Sequence, residues 1–389
     1  MHNRIIHDSS SLRMSVLRYT QSNDMRQVVK IAIDISRLAT NQRTGTERYT
    51  WEVLAGIAAH PGPHEYLLYC RVHPAELPVL APNMRVIVMP FPRLWTHIRL
   101  AWQLWRDRPD VLFVPSHVLP WNVRLVPGMR VVTTVHDLGF VHFPQAHTMF
   151  QNIYLRVSTW WAAVAADALI AISQATADDV RQFVGVSPAR IRVIPHGVSP
   201  MFAPQQATPQ RWPRYLLYVG TLQPRKNLLR VIAAFAQANT HPDTQLVIAG
   251  RAGWLSEPLQ AHAVACGVAD RVHLIGFVPD AQLPGLLASA RAFLFPSLYE
   301  GFGMPVLEAM ASGVPVLTST TSALPEVAGD AALLVDPTDV TAMAAGIHTL
   351  DCDDAMHAMY VARGVHHAAA YTWGRCAHDT LAVLCERNS

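Results

Sequence analysis

The sequence predicts an α/β protein made of two doubly wound, Rossmann-like parallel sheets that face each other across a cleft. Short β-rich runs alternate with longer helical patterns, the order that produces parallel strands covered by helices on both faces. In the first half the runs cover 29–35, 65–70, 85–89, 111–115, 130–135, 168–172 and 192–194. In the second they cover 215–219, 245–249, 272–274, 292–296 and 314–318. Between the two sets, residues 199–214 carry four prolines and no periodicity, which is linker composition. The length of 389 residues, at roughly 150 per domain, also suits two domains. The expected division is a first domain over 25–200, a linker over 201–214, a second domain over 215–370 and a helical tail over 371–389. Residues 1–24 are polar and aperiodic, so they are expected to form a disordered extension with Met25 as the natural start.

Composition narrows the function. A chain with 51% hydrophobic and 15% charged residues is neither disordered nor coiled coil. Its 31 basic and 28 acidic residues leave a net charge of only +3, too dispersed for nucleic acid to be the expected partner. The low charged fraction leaves apolar surface for a membrane or a protein partner. Five cysteines without a C-x-x-C pair argue against a disulfide framework and a zinc site, and read as free thiols of a reducing cytosol. The most apolar stretch, 155–172, is broken by Arg156 and Asp167, so no span is expected and the location is expected to be cytoplasmic.

In open α/β sheets ligands bind beyond the carboxyl ends of the strands, which makes the cleft the first place to look. No G-x-G-x-x-G opens a helix after the first strand, and Gly301-Phe302-Gly303 has Val306 where a third glycine would stand. A P-loop is also missing. The densest constellation runs from Phe293 through Glu300, Gly301, Phe302, Gly303, Met304 and Pro305 to Glu308 and Gly313. It reads as a strand, a glycine-bearing loop, a helix opened by Pro305 and a second strand. Backbone N–H groups at Gly303 and Met304 then sit at a helix N-terminus that favours a phosphate. Glu300 and Glu308, beside that anion site, suit the hydroxyls of a sugar and a ribose; the alternative is an exposed helical Glu308 with glycines that only make a turn.

Gly220-Thr221-Leu-Gln-Pro-Arg225-Lys226-Asn-Leu also follows a strand and opens a helix. Arg225 and Lys226 there can bring positive charge to a diphosphate across the cleft from the Gly303 helix; the alternative is a solvated Arg-Lys pair at a helix start, where the dipole disfavours positive charge. His136-Asp137 ends a strand of the first half and lines the cleft from the other side. Gly45, before a helix, lets the backbone approach a phosphate or an acceptor. The segment 91–108 is aromatic and basic, with Leu94, Trp95, Ile98, Trp102 and Trp105 near one helical face. It reads as an amphipathic helix packed on the sheet, with an interfacial helix touching a membrane as the alternative.

The E-x7-E pair in Tyr299-Glu-Gly-Phe-Gly-Met-Pro-Val-Leu-Glu308 resembles the signature of the retaining nucleotide-sugar glycosyltransferases of family four, which have the GT-B fold. Thr44-Gly-Thr-Glu-Arg-Tyr49, Thr134-Val-His-Asp-Leu138, Ala171-Ile-Ser-Gln-Ala-Thr176, Val193-Ile-Pro-His-Gly-Val198, the Tyr218–Leu228 segment and Ser322-Ala-Leu-Pro-Glu-Val-Ala-Gly-Asp330 match in order, over about residues 28–385. The resemblance implies that the second half binds the nucleotide-sugar donor and that the first takes a glycan or lipid-linked acceptor. It places Lys226 on the diphosphate lysine and gives His136 the donor sugar, with Asp137 orienting. Many members have an arginine where this chain has Thr221, which shifts weight to Arg225. His196 stands where many have asparagine and receives no catalytic role. No metal or other cofactor is implied, and the tail helix should cross back onto the first domain. The set most resembles bacterial mannosyltransferases of surface polysaccharides, with GDP-mannose the favoured donor and UDP-glucose or dTDP-rhamnose the alternatives. Peripheral contact with the inner membrane goes with a lipid-linked acceptor. A catalytically silent member that only binds glycan or nucleotide is the rival reading.

Overall fold

The computed structural model describes residues 28–39, 45–116, 118–146, 148–205, 211–251 and 256–386; the expected extension 1–24 and the start at Met25 lie outside them. Seven strands form the first sheet: β1 Lys30–Asp34, β2 Glu65–Cys70, β3 Met84–Val88, β4 Val111–Val114, β5 Arg130–Val135, β6 Ala168–Ala171 and β7 Ile191–Val193. Their order is β3-β2-β1-β4-β5-β6-β7, parallel throughout. The second sheet holds β8 Tyr215–Val219, β9 Gln245–Ala249, β10 Val272–Gly276, β11 Ala292–Phe295, β12 Val316–Ser319 and β13 Leu333–Val335, in the parallel order β10-β9-β8-β11-β12-β13. Each predicted strand is present. β13 is an addition to the predicted set, because three residues, Leu-Leu-Val, are too few to show a period.

Strands such as Arg130–Val135 are buried along their whole length, as parallel strands covered on both faces must be. One apolar cluster fills the second domain, and two flank the first sheet. The cluster on one face of the first sheet is completed from the far end of the chain by Trp373, Cys376, Ala377, Val383 and Leu384 of the helix Trp373–Cys385. Thr372 caps that helix by accepting from Arg375 N at 3.1 Å. Beyond its end, Glu386 pairs with Arg130 and Arg192 of the first domain at 3.3 and 3.2 Å. The tail therefore straps the two sheets together.

Segment 91–108 departs from its expected packing. Trp95 is buried and donates to Met89 O at 2.9 Å, with Leu100 and Leu104 beside it in the core. Leu94, Ile98, Trp102 and Trp105 stand outside. Trp95 alone leaves the predicted face: Trp95–Leu100 is a π-helical turn, wider than an α-turn, which brings Trp95 to the same buried side as Leu100 five residues on. Among the described residues, no helix is long and apolar enough to cross a membrane.

Candidate active site

In the second sheet the strand order reverses between the neighbours β8 and β11, and the loops after them meet at that switch point. After β8, Pro224–Lys226 forms one 3-10 turn closed by Asn227 at φ 64°. Asparagine tolerates this left-handed conformation. Its buried amide donates to Pro296 O at 3.1 Å and Pro337 O at 2.6 Å, which pins the turn to the β11 loop. The sequence pattern sets Arg225 and Lys226 across the cleft from the Gly303 helix; the structure puts them beside it in the same domain, because β8 and β11 pair directly.

The two carboxylates also differ from the expectation that both lie open for hydroxyls. Glu300, 7% exposed, accepts from Arg225 Nη1 at 2.9 Å and from Lys226 Nζ, itself 8% exposed. Lys226 Nζ also sits 4.8 Å from the centre of the Phe295 ring. Burial alone would raise the Glu300 carboxyl, but Lys226 and Arg225 outweigh it and hold it below its ordinary value. Burial lowers the Lys226 ammonium more than Glu300 restores it. Two cations against one carboxylate leave this triad with an excess of positive charge. Glu308 is taken by Arg48 Nη1 of the first domain at 2.7 Å. Its burial, only partly offset by Arg48, raises its pKa.

Gly303, at φ 103°, caps the helix Met304–Ala311 in a conformation open to glycine, and Pro305 falls in its first turn as predicted. Across the cleft, Gly45 begins the helix Gly45–Ala59; a Cβ there would come within 3.4 Å of Met304 Cε. Thr221 is exposed in the β8 loop. The Phe302 ring is buried against His196 and Tyr371, so that residue offers the cleft no aromatic surface.

His136 follows β5. Its Nε2 donates to Pro115 O at 2.9 Å and Tyr49 meets it edge-on at 5.0 Å. Burial pushes the imidazole below its ordinary value, so the ring is neutral at pH 7 with its proton on Nε2. Nδ1 is left as an acceptor. Asp137 Oδ1 accepts from Gly139 N at 2.9 Å, a local turn contact. His196 lies 5.9 Å from His136, centre to centre; neither of its nitrogens has a hydrogen-bond partner among the described residues, and burial holds it far below 6.5. Both histidines bind fewer protons folded than unfolded once the pH drops below about 6.5, so folding loses stability as the solution is acidified. The melting temperature is expected to fall between about pH 7 and pH 5, and His196→Asn to flatten that slope; an unchanged slope in thermal unfolding would contradict the assignment.

Contacts that the motif pattern does not reveal hold the domains shut. Ser173 and Thr176 hydroxyls donate to Gly301 O at 2.7 and 3.1 Å. Tyr299 Oη donates to Asp179 at 2.7 Å, accepts from Leu138 N at 3.2 Å and stacks on His142 at 4.4 Å. Glu326 accepts from Gln174 N at 2.8 Å, placing a carboxylate on the N-terminus of the helix Gln174–Val184. Arg48, Ser173, Thr176, Tyr299 and Glu326 all lie within segments that carry the resemblance; this structure assigns those segments to interdomain closure. Among the described residues, no three His, Cys, Asp or Glu side chains gather as a metal site would require.

Two parallel-sheet domains closed on a cationic, carboxylate-bearing switch point define a GT-B architecture. The chain matches the model described as Glycosyltransferase Family 4 over residues 43–202 and the model described as Glycosyl transferases group 1 over 203–364. The O-antigen chain mannosyltransferase B of Escherichia coli is 33% identical over 296 residues, covering 73% of this chain and 76% of that protein. Sucrose-phosphate synthase from Thermosynechococcus elongatus superposes with a TM-score of 0.74 at 22% identity, over 91% of this chain and 98% of that one. Anabaena HepE, solved with UDP and glucose, does so at 0.72 and 19%, over 92% and 99%. The chain belongs to glycosyltransferase family 4. It is a glycosyltransferase, and its similarity to bacterial mannosyltransferases of polysaccharide synthesis extends over most of its length.

Proposed function

We propose that the enzyme moves a hexose from a nucleoside diphosphate sugar, GDP-mannose by preference, to a glycan or lipid-linked acceptor, with retention of configuration and without a divalent metal. The observation that carries this reading is the triad of Arg225, Lys226 and Glu300, whose surplus positive charge lies next to the N-terminus of the Gly303 helix. Positive charge fixed there opposes the negative charge that grows on a departing diphosphate, the part a metal ion plays elsewhere. The C1–phosphate bond breaks while the acceptor oxygen bonds C1 on the same face, and the acceptor proton passes to the departing phosphate oxygen. A neutral His136 adds no positive charge to oppose the cationic sugar. Mannose is favoured by the 33% identity to the O-antigen mannosyltransferase, and a nucleoside diphosphate by the fold shared with a protein solved with UDP and glucose.

Thermal unfolding with GDP, UDP, dTDP, ADP and their sugar conjugates tests the donor site, because a ligand of the folded state raises the melting temperature by mass action. GDP and GDP-mannose should give the largest shifts; no shift with any nucleotide, for folded protein, would overturn the proposal. Variants separate the two partners of the interdomain pair. Glu308→Ala is expected to weaken nucleotide binding about tenfold or more through a lost charged hydrogen bond. Arg48→Ala, which frees Glu308 for a ribose, should leave nucleotide affinity equal or tighter while turnover falls; calorimetry that finds equal losses in both would refute that role for Glu308.

A further inference from the structure

Tyr299 stands between the two halves of the site. Its backbone belongs to the cationic triad: the carbonyl accepts from Arg225 Nη1 at 3.0 Å, and the same nitrogen donates to Glu300 Oε2 at 2.9 Å. Leu298 N in turn donates to Arg225 O at 2.8 Å. The Tyr299 side chain, 6% exposed, crosses from the second domain into the first. There the phenol oxygen finds a partner for its proton, Asp179 Oδ2 at 2.7 Å, and a partner for a lone pair, Leu138 N at 3.2 Å. Leu138 lies two residues beyond His136, so one side chain joins the turn that holds Arg225 to the loop that holds His136.

The first-domain partners fix where the hydroxyl points. Asp179 Oδ2 also accepts from His142 Nε2 at 3.0 Å, and the His142 ring lies between Tyr299 at 4.4 Å and Phe183 at 5.4 Å. The carboxylate takes the phenol proton's hydrogen bond, which leaves the oxygen lone pair to the Leu138 amide. Burial, with Asp179 adding to it, pushes the phenol far above its ordinary value. The hydroxyl therefore keeps its proton and acts as a fixed donor, not as an acid or a base. Leu138 is fully buried. Without the phenol oxygen its N–H becomes an orphan donor, and the loop must shift to satisfy it. Asp179, His142 and Leu138 all belong to the first domain, so these contacts form only when the cleft is closed.

We infer that Tyr299 is a positioning residue for the transfer: its hydroxyl, aimed by Asp179 and His142, sets the His136 loop against the Arg225, Lys226 and Glu300 triad when the domains close. The inference rests on the proposed donor site and adds a coupling to it. The histidine of one domain and the cations of the other reach register through one phenol, so closure and the placement of both groups are a single event.

Four variants and two readouts test it, each well below the melting temperature of the variant. Tyr299→Phe keeps the ring on His142 and removes only the hydroxyl. It should lower turnover of GDP-mannose, with water as acceptor, about a hundredfold, the cost of a misplacement of about 1 Å, while calorimetry finds GDP affinity within about threefold of wild type. Asp179→Ala should lose as much, and the double variant no more than either single one. Asp179→Asn, which keeps an oxygen to accept from the phenol, should recover most of the loss. Hydrogen exchange at the Leu138 amide should speed up in Tyr299→Phe, with or without nucleotide. Wild-type turnover in folded Tyr299→Phe would overturn the inference, as would additive losses, a fall in GDP affinity equal to the fall in turnover, or a Leu138 amide as protected as in wild type. Wild type that binds no nucleotide would overturn the donor site instead, and the exchange of Leu138 would still decide whether the phenol holds the loop.

Discussion

Lys226→Ala is expected to lower kcat/KM by about two to three orders of magnitude, the usual cost of removing one preorganised donor aimed at developing charge. The site explains the size. Lys226 is buried, its ammonium fixed by Glu300 and by the Phe295 ring, so it has little reorganisation left to do when the diphosphate departs. Water that enters in its place is mobile and a poorer source of positive potential. The substitution also leaves Glu300 with Arg225 alone, which should cost about 2 kcal/mol of stability. Activity must therefore be measured well below the melting temperature of the variant. Turnover at the wild-type level, in protein shown to be folded, would remove the triad from the mechanism.

Gly301→Ala is expected to cost about two orders of magnitude in kcat while nucleotide binding persists, because the substitution acts on closure and misplacement of about 1 Å is enough for that loss. A Cβ on Gly301 would collide with His136 O and lie 2.7 Å from Asp137 Cβ, and neither the carbonyl nor the chain behind it has room to yield. The same glycine carbonyl receives the Ser173 and Thr176 hydroxyls, so the domains meet closely here. Small-angle scattering should find the variant more open than wild type. A variant as closed and as active as wild type would show that this contact does not position the reacting groups.

Both effects show which features are legible in the sequence and which are not. Strands buried on both faces announce themselves as continuous apolar runs, and proline at 305 with glycine at 303 marks a helix start by local chemistry alone. Glu300, Glu308, Arg225 and Lys226 are recognisable as a set through motif spacing. Their pairing is not, because it depends on the adjacency of β8 and β11, and the Arg48–Glu308 contact joins residues 260 positions apart in different domains. The Trp95 segment misleads for a different reason: a π-turn sets Trp95 on the buried side with Leu100, apart from the outward face that Leu94, Ile98, Trp102 and Trp105 keep. The outward apolar face of helix 149–165 is hidden in the sequence, since a helical period reports only that two faces differ and not which of them meets the core.

Hexose transfer from a nucleoside diphosphate sugar with retention is tested by proton NMR of the anomeric signals during turnover of GDP-mannose in the presence of EDTA. Water can serve as the acceptor, so the initial product is read before mutarotation. An α-configured product is expected first, formed without added metal and lost in Lys226→Ala. A β-configured first product, or turnover restored only by a divalent ion, would contradict it.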